Sequence, residues 1–340
     1  MIVALDTQLA VGTATGIGVY QRDLAAALRT CGVDVRALQA PQLDPWRFDR
    51  RVLWDQVVLP VAAAHSGAAV LHASAGTMPF VRTLPVVVTV HDMAWLRVQR
   101  HTRAYARAYF GAAMRHAYRT AAAVVVDSHF SRDEYAELSG DRRPATVVYP
   151  GVDARFSSIV RRPDAEPFAL VVGTVERRKN LLRAIEAVAA VPGLRLIAVG
   201  PPTPYLADVH SRIVELGVTE RIELRGYVDR ASIDDLYARA TVALVPSRYE
   251  GFGYAVAEAR CAGLPFIAAR TSSLIEVADG AGPLLEPDDG PAWIDTLRAI
   301  LAGRDAAEQR AAAGRAVAQE RFRWSTAATS LAALYIRAAG

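Results

Sequence analysis

Short, nearly continuous apolar runs rich in β-branched residues recur along the whole 340-residue chain. Such runs are typical of parallel strands that are buried on both faces. Longer amphipathic stretches separate them, such as YQRDLAAALRTCG and NLLRAIEAVAAVPG, and these have the period and the closing glycine of helices. The regular alternation predicts an α/β fold with parallel sheets covered by helices on both sides.

One polar, proline-punctuated segment interrupts this alternation between Pro150 and Pro167, and a new series of strand and helix patterns follows it. Such a segment is typical of a linker between domains. We therefore predict two Rossmann-like domains, at 1–152 and 153–323, with a C-terminal helix at about 324–340 that packs back on the first. Because ligands bind beyond the carboxyl ends of parallel strands, we expect the two sheets to face each other across a cleft.

Composition narrows the class of protein. The chain is 52% hydrophobic and 22% charged, which is typical of a globular protein, and Cys31 and Cys261 show no metal or redox spacing. No apolar run approaches the roughly 18 residues that span a bilayer, and the N-terminus lacks a basic segment before its first apolar run. These observations predict a cytoplasmic protein.

The basic excess falls in the N-terminal half, above all in LRVQRHTRAYARAYFGAAMRHAYRT. This stretch contains arginines and no acidic residue; they are Arg97, Arg100, Arg103, Arg107, Arg115 and Arg119. A solvated helix face is the default interpretation. The alternative is peripheral contact of the Arg97–Arg119 region with the inner face of a membrane, or with a phosphorylated acceptor. No nucleic-acid-binding motif is present, so a nucleic-acid partner is not expected.

A single lysine stands among 39 basic residues: Lys179, in VVGTVERRKNL. Codon bias towards arginine could leave one lysine by chance. The alternative is that this position needs a compact ammonium charge and not the planar fork of arginine.

The segment RYEGFGYAVAEARCAG follows another predicted strand and places Glu250 and Glu258 on either side of a Gly-Phe-Gly turn that opens a helix. Glycines allow close backbone approach to a ligand, and the first amides of a helix can bind an anion. A carboxylate beside such amides suits a ligand that combines hydroxyl groups with phosphate. Alone, this segment would be interpreted as a charged turn.

Together these elements resemble the retaining GT-B glycosyltransferases of family 4. The matching segments cover most of the chain: TGIGVY, TVHD, DSHFSRDEY, YPGVD, VGTVERRKN, LRGYV, the Glu-x7-Glu block and TSSLIEVA. The resemblance implies a GT-B fold, with both Rossmann-like domains contributing to a nucleotide-sugar site.

The resemblance also implies roles for individual residues. Lys179 and Arg178 would neutralise the diphosphate of the donor, Glu250 would hold its sugar hydroxyls and Glu258 its ribose. His91 would face the donor sugar and the acceptor, and is included with Arg178, Lys179 and Glu250 among the predicted catalytic residues. The remaining predicted donor-binding residues line the sugar, the phosphates or the base: Gly16, Gly18, Thr174, Tyr227, Val228, Gly251, Phe252, Gly253 and Tyr254.

Three positions depart from the family pattern. Thr174 stands where many members carry arginine, GYAVAEARC replaces a Pro-x-x-Glu-Ala-Met-Ala segment, and Arg248 places a large charge beside the predicted sugar site.

The predicted reaction is transfer of a hexose to an acceptor hydroxyl of a glycan, a lipid-linked saccharide or a natural product.

GDP-mannose is the favoured donor, and UDP- and dTDP-sugars remain open. No Asp-x-Asp segment and no histidine–carboxylate pair at metal spacing is present, so we expect a reaction without a metal or other cofactor. The alternatives are a catalytically silent nucleotide-sugar-binding partner and a GT-B sugar-nucleotide epimerase. An NAD-dependent oxidoreductase is disfavoured, because GIGVYQ lacks the third glycine of the dinucleotide motif.

Overall fold

The computed structural model describes residues 1–12, 16–97, 104–139 and 144–340. The chain forms two compact units. The first unit consists of Met1–Gly151 together with Phe322–Gly340, and the second unit consists of Val152–Arg321.

Each unit is built on one parallel sheet, which in the described residues has six strands. The order is β2-β1-β3-β4-β5-β6 in the first unit and β12-β11-β10-β7-β8-β9 in the second. In chain order the strands are β1 Ile2–Asp6, β2 Asp34–Leu38, β3 Val70–Ala73, β4 Val86–Val90, β5 Ala123–Val126, β6 Thr146–Val147, β7 Phe168–Val172, β8 Arg195–Val199, β9 Ile222–Leu224, β10 Val242–Val245, β11 Phe266–Ala269 and β12 Leu284–Leu285.

Helices connect the strands. They are α1 Ile17–Thr30, α2 Phe48–Leu53, α3 Leu59–His65, α4 Ala94–Arg97, α5 Ala104–Thr120, α6 His129–Ser139, α7 Ala154–Ser158, α8 Leu181–Ala189, α9 Leu206–Glu215, α10 Arg230–Arg239, α11 Tyr254–Ala262, α12 Leu274–Ala278, α13 Gly290–Ala302, α14 Arg304–Arg321 and α15 Trp324–Ala339. A π-helical turn at Trp54–Val58 joins α2 to α3, and a 3-10 turn at Arg177–Lys179 precedes α8. No helix in the described part of the chain is long and apolar enough to cross a membrane.

Both faces of the first sheet are buried, because successive side chains of a strand point to opposite faces. Val86 and Val88 of β4 pack in one core layer with Trp54, whereas Val87 packs in the other with α1 and α15. Leu331 and Tyr335 of α15 are fully buried in that second layer. A hydrogen bond of 2.6 Å between Tyr335 Oη and His72 Nδ1 ties the C-terminal helix to β3. The last helix of the chain is therefore part of the first unit.

Candidate functional site

Glycines at the carboxyl ends of β7 and β8 bring two backbone segments of the second unit close together. Gly173 and Gly200 have φ values of 145° and 152°, which other residues rarely adopt. A Cβ atom on Gly200 would lie 2.0 Å from the carbonyl oxygen of Gly173. A glycine is therefore required at Gly200, and this packing sets the path of the loop that carries Lys179.

The three basic residues after this loop point to two different places. Arg177 forms an ion pair with Asp208 and stacks on the ring of Tyr205, 4.8 Å from its centroid. Arg178 and Lys179 instead contact Glu250. The short 3-10 turn thus separates one structural arginine from two cations that share a carboxylate.

Glu250 lies at the centre of this cluster and is only 6% exposed. Its Oε1 atom accepts a hydrogen bond of 2.6 Å from Lys179 Nζ, and its Oε2 atom accepts one of 3.0 Å from Arg178 Nη1. Burial by itself would raise the pKa of Glu250, but the charges of Lys179 and Arg178 outweigh it and hold the pKa below its ordinary value. The carboxylate is therefore ionised at neutral pH.

Thr174, Lys179 and Glu250 line one pocket at the carboxyl ends of β7 and β10. The structure thus places three of the predicted donor-site residues around a common space. A lysine ammonium has three N–H donors, so Lys179 can bind Glu250 and still donate to a further anion.

The turn after Glu250 has the geometry that its glycines predict. Gly253 has φ 96° and directly precedes α11, and a Cβ atom there would lie 2.5 Å from Leu274 Cδ2. Gly251 and Phe252 are buried. The rings of Phe252 and Tyr254 pack edge to face, with their centroids 5.2 Å apart. Packing of this turn therefore fixes the start of α11 relative to Glu250.

Glu258, near the middle of α11, has different partners from Glu250. Its Oε2 atom accepts a hydrogen bond of 2.7 Å from Tyr237 Oη of α10. Burial raises the pKa of Glu258 to about 7, in spite of this hydrogen bond and the more distant charge of Arg155. Near neutral pH Glu250 is therefore ionised, whereas Glu258 is partly protonated.

Tyr227 and Val228 follow β9 and lie outside the pocket lined by Lys179 and Glu250. The side chain of Tyr227 is 60% exposed. The predicted contact of these two residues with a base stays a prediction.

In the first unit, His91 follows β4 and has a hydrogen-bond partner at each ring nitrogen. Nδ1 lies 2.6 Å from Asp127 Oδ2, and Nε2 lies 2.9 Å from the carbonyl oxygen of Ser74. Burial alone would lower the pKa of His91, but the neighbouring carboxylate of Asp127 raises it above its ordinary value. The ring also packs edge to face on Tyr20, with centroids 4.7 Å apart. Because both partner atoms are acceptors, this geometry favours the protonated ring, which can donate from both nitrogens.

The predicted glycines of the first loop lie beside α1. Gly16 has φ 45° and immediately precedes the helix, and Gly18 is buried in its first turn. Residues 13–15 of the same loop lie outside the described residues. The prediction that this loop approaches a phosphate is therefore not tested by the geometry.

The arginine-rich stretch contains an ion-pair network that its acid-free sequence did not predict. Arg97 Nε lies 2.7 Å from Glu134 Oε1, and Arg97 Nη2 lies 2.7 Å from Glu137 Oε2, both on α6. Arg100 and Arg103 lie outside the described residues. In the part of the chain that the structure describes, no group of histidine, cysteine and acidic residues could hold a metal ion.

Comparison with protein families decides the class of protein. The family described as "Glycosyl transferases group 1" matches residues 153–317, and that described as "Glycosyltransferase Family 4" matches residues 58–156. The chain belongs to family 4 of the glycosyltransferases. The first match spans Lys179, Glu250 and Glu258, and the second spans His91, so both groups of predicted residues fall within matched segments.

Two curated relatives illustrate the range of this glycosyltransferase family. The D-inositol 3-phosphate glycosyltransferase of Mycolicibacterium smegmatis is 31% identical over 231 residues, which are 63% of this chain and 52% of that protein. The O-antigen chain mannosyltransferase B of Escherichia coli is 28% identical over 265 residues, which are 72% of this chain and 68% of that protein. The chain spans about half the length of the first curated relatives it matches.

Solved structures show the same fold. The structure of Anabaena HepE in complex with UDP-glucose has a TM-score of 0.77 at 18% identity, and the match covers 98% of each chain. The predicted α/β class is confirmed, and the chain has the GT-B fold with a parallel sheet in each unit.

Arg248, a departure from the family pattern, forms an ion pair with Asp288. Its Nη1 and Nη2 atoms donate to the two carboxylate oxygens of Asp288, at 2.8 and 2.6 Å. The large charge beside the predicted sugar site is therefore paired with a carboxylate. No local sequence pattern predicts this pair or the contact between His91 and Asp127, because the partners are 40 and 36 residues apart along the chain.

Proposed function

We propose that the protein is a retaining glycosyltransferase that transfers a hexose from a nucleoside-diphosphate sugar to an acceptor hydroxyl. The observation that supports this proposal is the contact of Lys179 and Arg178 with the buried carboxylate of Glu250. A buried carboxylate that is paired with two cations offers both a hydrogen-bond acceptor for sugar hydroxyls and positive charge for a diphosphate.

The chemistry follows from where charge develops. As the bond between the anomeric carbon and the donor phosphate breaks, negative charge grows on the diphosphate, and charge that is already in place stabilises it without reorganisation. Lys179 and Arg178 would supply that charge. Glu250 would keep the two cations in position and accept hydrogen bonds from the sugar.

Retention at the anomeric carbon is carried over from the family resemblance. In that mechanism the acceptor hydroxyl attacks the anomeric carbon on the same face of the sugar from which the phosphate departs. The departing phosphate helps to remove the proton of that hydroxyl. The acceptor would be a glycan, a lipid-linked saccharide or a natural product. We propose that no metal is required, because the two side-chain cations and the first amides of α11 can neutralise the diphosphate.

For the donor we propose GDP-mannose. The similarity to O-antigen chain mannosyltransferase B supports a mannosyl donor. HepE, whose fold is similar, was solved with UDP-glucose, and this keeps UDP-sugars as the principal alternative.

A thermal-shift panel tests the donor class. UDP, GDP, dTDP, ADP and CDP are added separately at high concentration, with and without EDTA. A ligand at about 100 times its dissociation constant stabilises the protein by roughly 2.7 kcal/mol, which is readily measured. We expect GDP to give the largest shift and EDTA to leave it unchanged. A larger shift with UDP would refute the proposed donor, and loss of the shift in EDTA would refute metal independence.

Turnover by the purified protein separates the proposed activity from its alternatives. The matching nucleotide sugar is incubated with and without candidate acceptors, and nucleoside diphosphate and sugar products are quantified. Release of nucleotide that depends on the acceptor supports transfer. Binding without turnover would indicate a silent partner, whereas a new nucleotide sugar formed without acceptor would indicate an epimerase.

Membrane contact through the Arg97–Arg119 region remains a prediction. The ion pairs of Arg97 with Glu134 and Glu137 leave less free positive charge there than the sequence implies. Sedimentation with phosphatidylglycerol vesicles, compared with phosphatidylcholine vesicles, tests it. Equal recovery with both would contradict an electrostatic contact.

A further inference from the structure

The backbone that carries Glu250 is held by hydroxyl groups from one neighbouring segment, Thr271–Ser273, between β11 and α12. The amide of Glu250 donates to Ser272 Oγ at 2.9 Å, and Ser273 Oγ donates to the carbonyl oxygen of Glu250 at 2.9 Å. Thr271 Oγ1 donates to the carbonyl oxygen of Arg248 at 3.2 Å. Three consecutive side chains therefore fix the two ends of the segment 248–250.

Ser272 makes its hydrogen bond from a disfavoured backbone conformation. Its φ is 47°, and the other non-glycine residues with positive φ in the described chain are Asn180 and Asp279. Asparagine and aspartate tolerate this region better than serine does, and glycine adopts it freely. Strain that persists at one residue indicates that its surroundings hold it there, and such residues cluster at functional sites. A glycine would remove the strain but would also remove the acceptor for the Glu250 amide.

The contacts of the Glu250 side chain depend on the position of its backbone. The carboxylate meets Lys179 at 2.6 Å and Arg178 at 3.0 Å, so a small backbone shift would change both contacts together. A displacement of about 1 Å at a reacting centre can reduce turnover about 100-fold.

We propose that Ser272 is a positioning residue that fixes Glu250, through its backbone amide, for contact with the donor sugar. This inference rests on the proposed function, in which Glu250 holds the sugar hydroxyls. Ser272 does not itself need to touch the donor. Ser273, which is fully buried, holds the other side of the same peptide segment.

Two substitutions separate positioning from folding. Ser272→Gly removes the hydroxyl and relieves the positive φ, whereas Ser272→Ala removes the hydroxyl and keeps the strain. We therefore expect the glycine variant to unfold at a higher temperature than the alanine variant. Both variants should lower kcat with the nucleotide sugar by about 10- to 100-fold. Both should leave the calorimetric dissociation constant for the bare nucleoside diphosphate within a factor of about two, since Lys179 and Arg178 remain.

Ser158→Gly is the matched control. Ser158 is the last residue of α7 in the same unit, is exposed, and its hydroxyl donates to the carbonyl oxygen of Ala154 at 3.4 Å. The substitution is the same and also removes a hydrogen bond to backbone, but it lies outside the Glu250 cluster. We expect its turnover to equal that of the wild type.

The outcomes distinguish the positioning inference from the proposed function. Wild-type kcat and KM in Ser272→Gly would overturn the positioning role while leaving the glycosyltransferase proposal intact. A parallel loss of bare-nucleotide affinity would also overturn it, because the residue would then act on the whole donor site. If the wild type itself turns over no nucleotide sugar, both the proposed function and the positioning role are refuted.

Discussion

Replacing Lys179 with alanine removes one of the two cations that contact Glu250 in the described chain. The ammonium lies 2.6 Å from Glu250 Oε1, and the side chains of Lys179 and Glu250 are 24% and 8% exposed. Arg178 remains 3.0 Å from the second oxygen, so the carboxylate keeps one partner. The variant therefore tests how much Lys179 contributes to donor binding and turnover in addition to its ion pair with Glu250.

The size of the effect follows from Coulomb's law. Two unit charges about 4 Å apart at an effective dielectric constant of about 20 interact by roughly 4 kcal/mol. Each 1.4 kcal/mol corresponds to about a tenfold change in rate, so an interaction of this size corresponds to about 1,000-fold. Removal of one preorganised donor from a developing oxyanion usually costs about 100- to 1,000-fold in kcat. We expect Lys179→Ala to reduce kcat within that range and to weaken binding of the bare nucleoside diphosphate.

The adjacent Arg177 provides a matched control. Its guanidinium pairs with Asp208 and stacks on Tyr205, so Arg177→Ala removes one positive charge from the same 3-10 turn without removing a contact to Glu250. Initial rates with the nucleotide sugar and calorimetric titration with the bare nucleotide should show a large loss for Lys179→Ala and less than about a threefold change for Arg177→Ala. Comparable losses in the two variants would mean that general positive charge, and not the Lys179 contact, supports binding.

A companion variant tests the identity of the cation. Lys179→Arg keeps the charge but replaces an ammonium by a planar guanidinium whose donors point in fixed directions. We expect a kcat between those of the wild type and Lys179→Ala. Near wild-type kinetics for Lys179→Ala would refute the assignment of this residue altogether. Near wild-type kinetics for Lys179→Arg alone would show that only the charge matters.

Three further predictions concern carboxylates. Glu250→Ala should reduce kcat with the nucleotide sugar far more than it reduces affinity for the bare nucleotide. Initial-rate kinetics measure the first effect and calorimetry the second. Equal losses would contradict a sugar-holding role. The pKa of Glu258 lies near 7, above its ordinary 4.5, so the stability it contributes at low pH should be lost as the pH rises through about 7. The free energy of unfolding, measured in urea, should be lower at pH 8 than at pH 6 in the wild type, and this difference should be absent from Glu258→Gln. The same difference in both proteins would refute the role of Glu258. Asp127→Asn should lower the pKa of His91, because Asp127 raises it; an unchanged imidazole titration by NMR would contradict the ion pair.

Local pattern was enough to predict the alternation of strands and helices and the glycine-dependent turn after Glu250, although it did not predict the short β12 at Leu284–Leu285. Buried parallel strands appear as continuous apolar runs, and the glycines at the strand ends follow from backbone conformations that other residues rarely adopt. Gly200 and Gly253 show the physical reason, since a Cβ atom at either would overlap a neighbouring atom. The family and the fold class could therefore be predicted correctly before any contact was known.

Contacts between distant residues could not be predicted in this way. Arg97 stands in a stretch without acids but pairs with Glu134 and Glu137, which follow it by 37 and 40 residues. Arg248 likewise pairs with Asp288, 40 residues later. Ion pairs of this kind depend on how helices and loops pack, and local charge counts do not record them. The basic character of a segment in the sequence therefore overstates its free charge in the fold.

The lone lysine can now be judged against the arginines around it. Arg177 and Arg248 each bind a carboxylate of their own, and Arg178 donates to Glu176 and to the carbonyl oxygen of Tyr249 as well as to Glu250. The stem of Lys179 passes close to Gly173, where a Cβ atom would lie 3.6 Å from Cε. This is an ordinary van der Waals distance, whereas codon bias alone does not explain an ammonium with N–H donors to spare on a carboxylate that it shares with Arg178. The functional interpretation of Lys179 therefore stays a prediction, which the Lys179→Ala and Lys179→Arg variants decide.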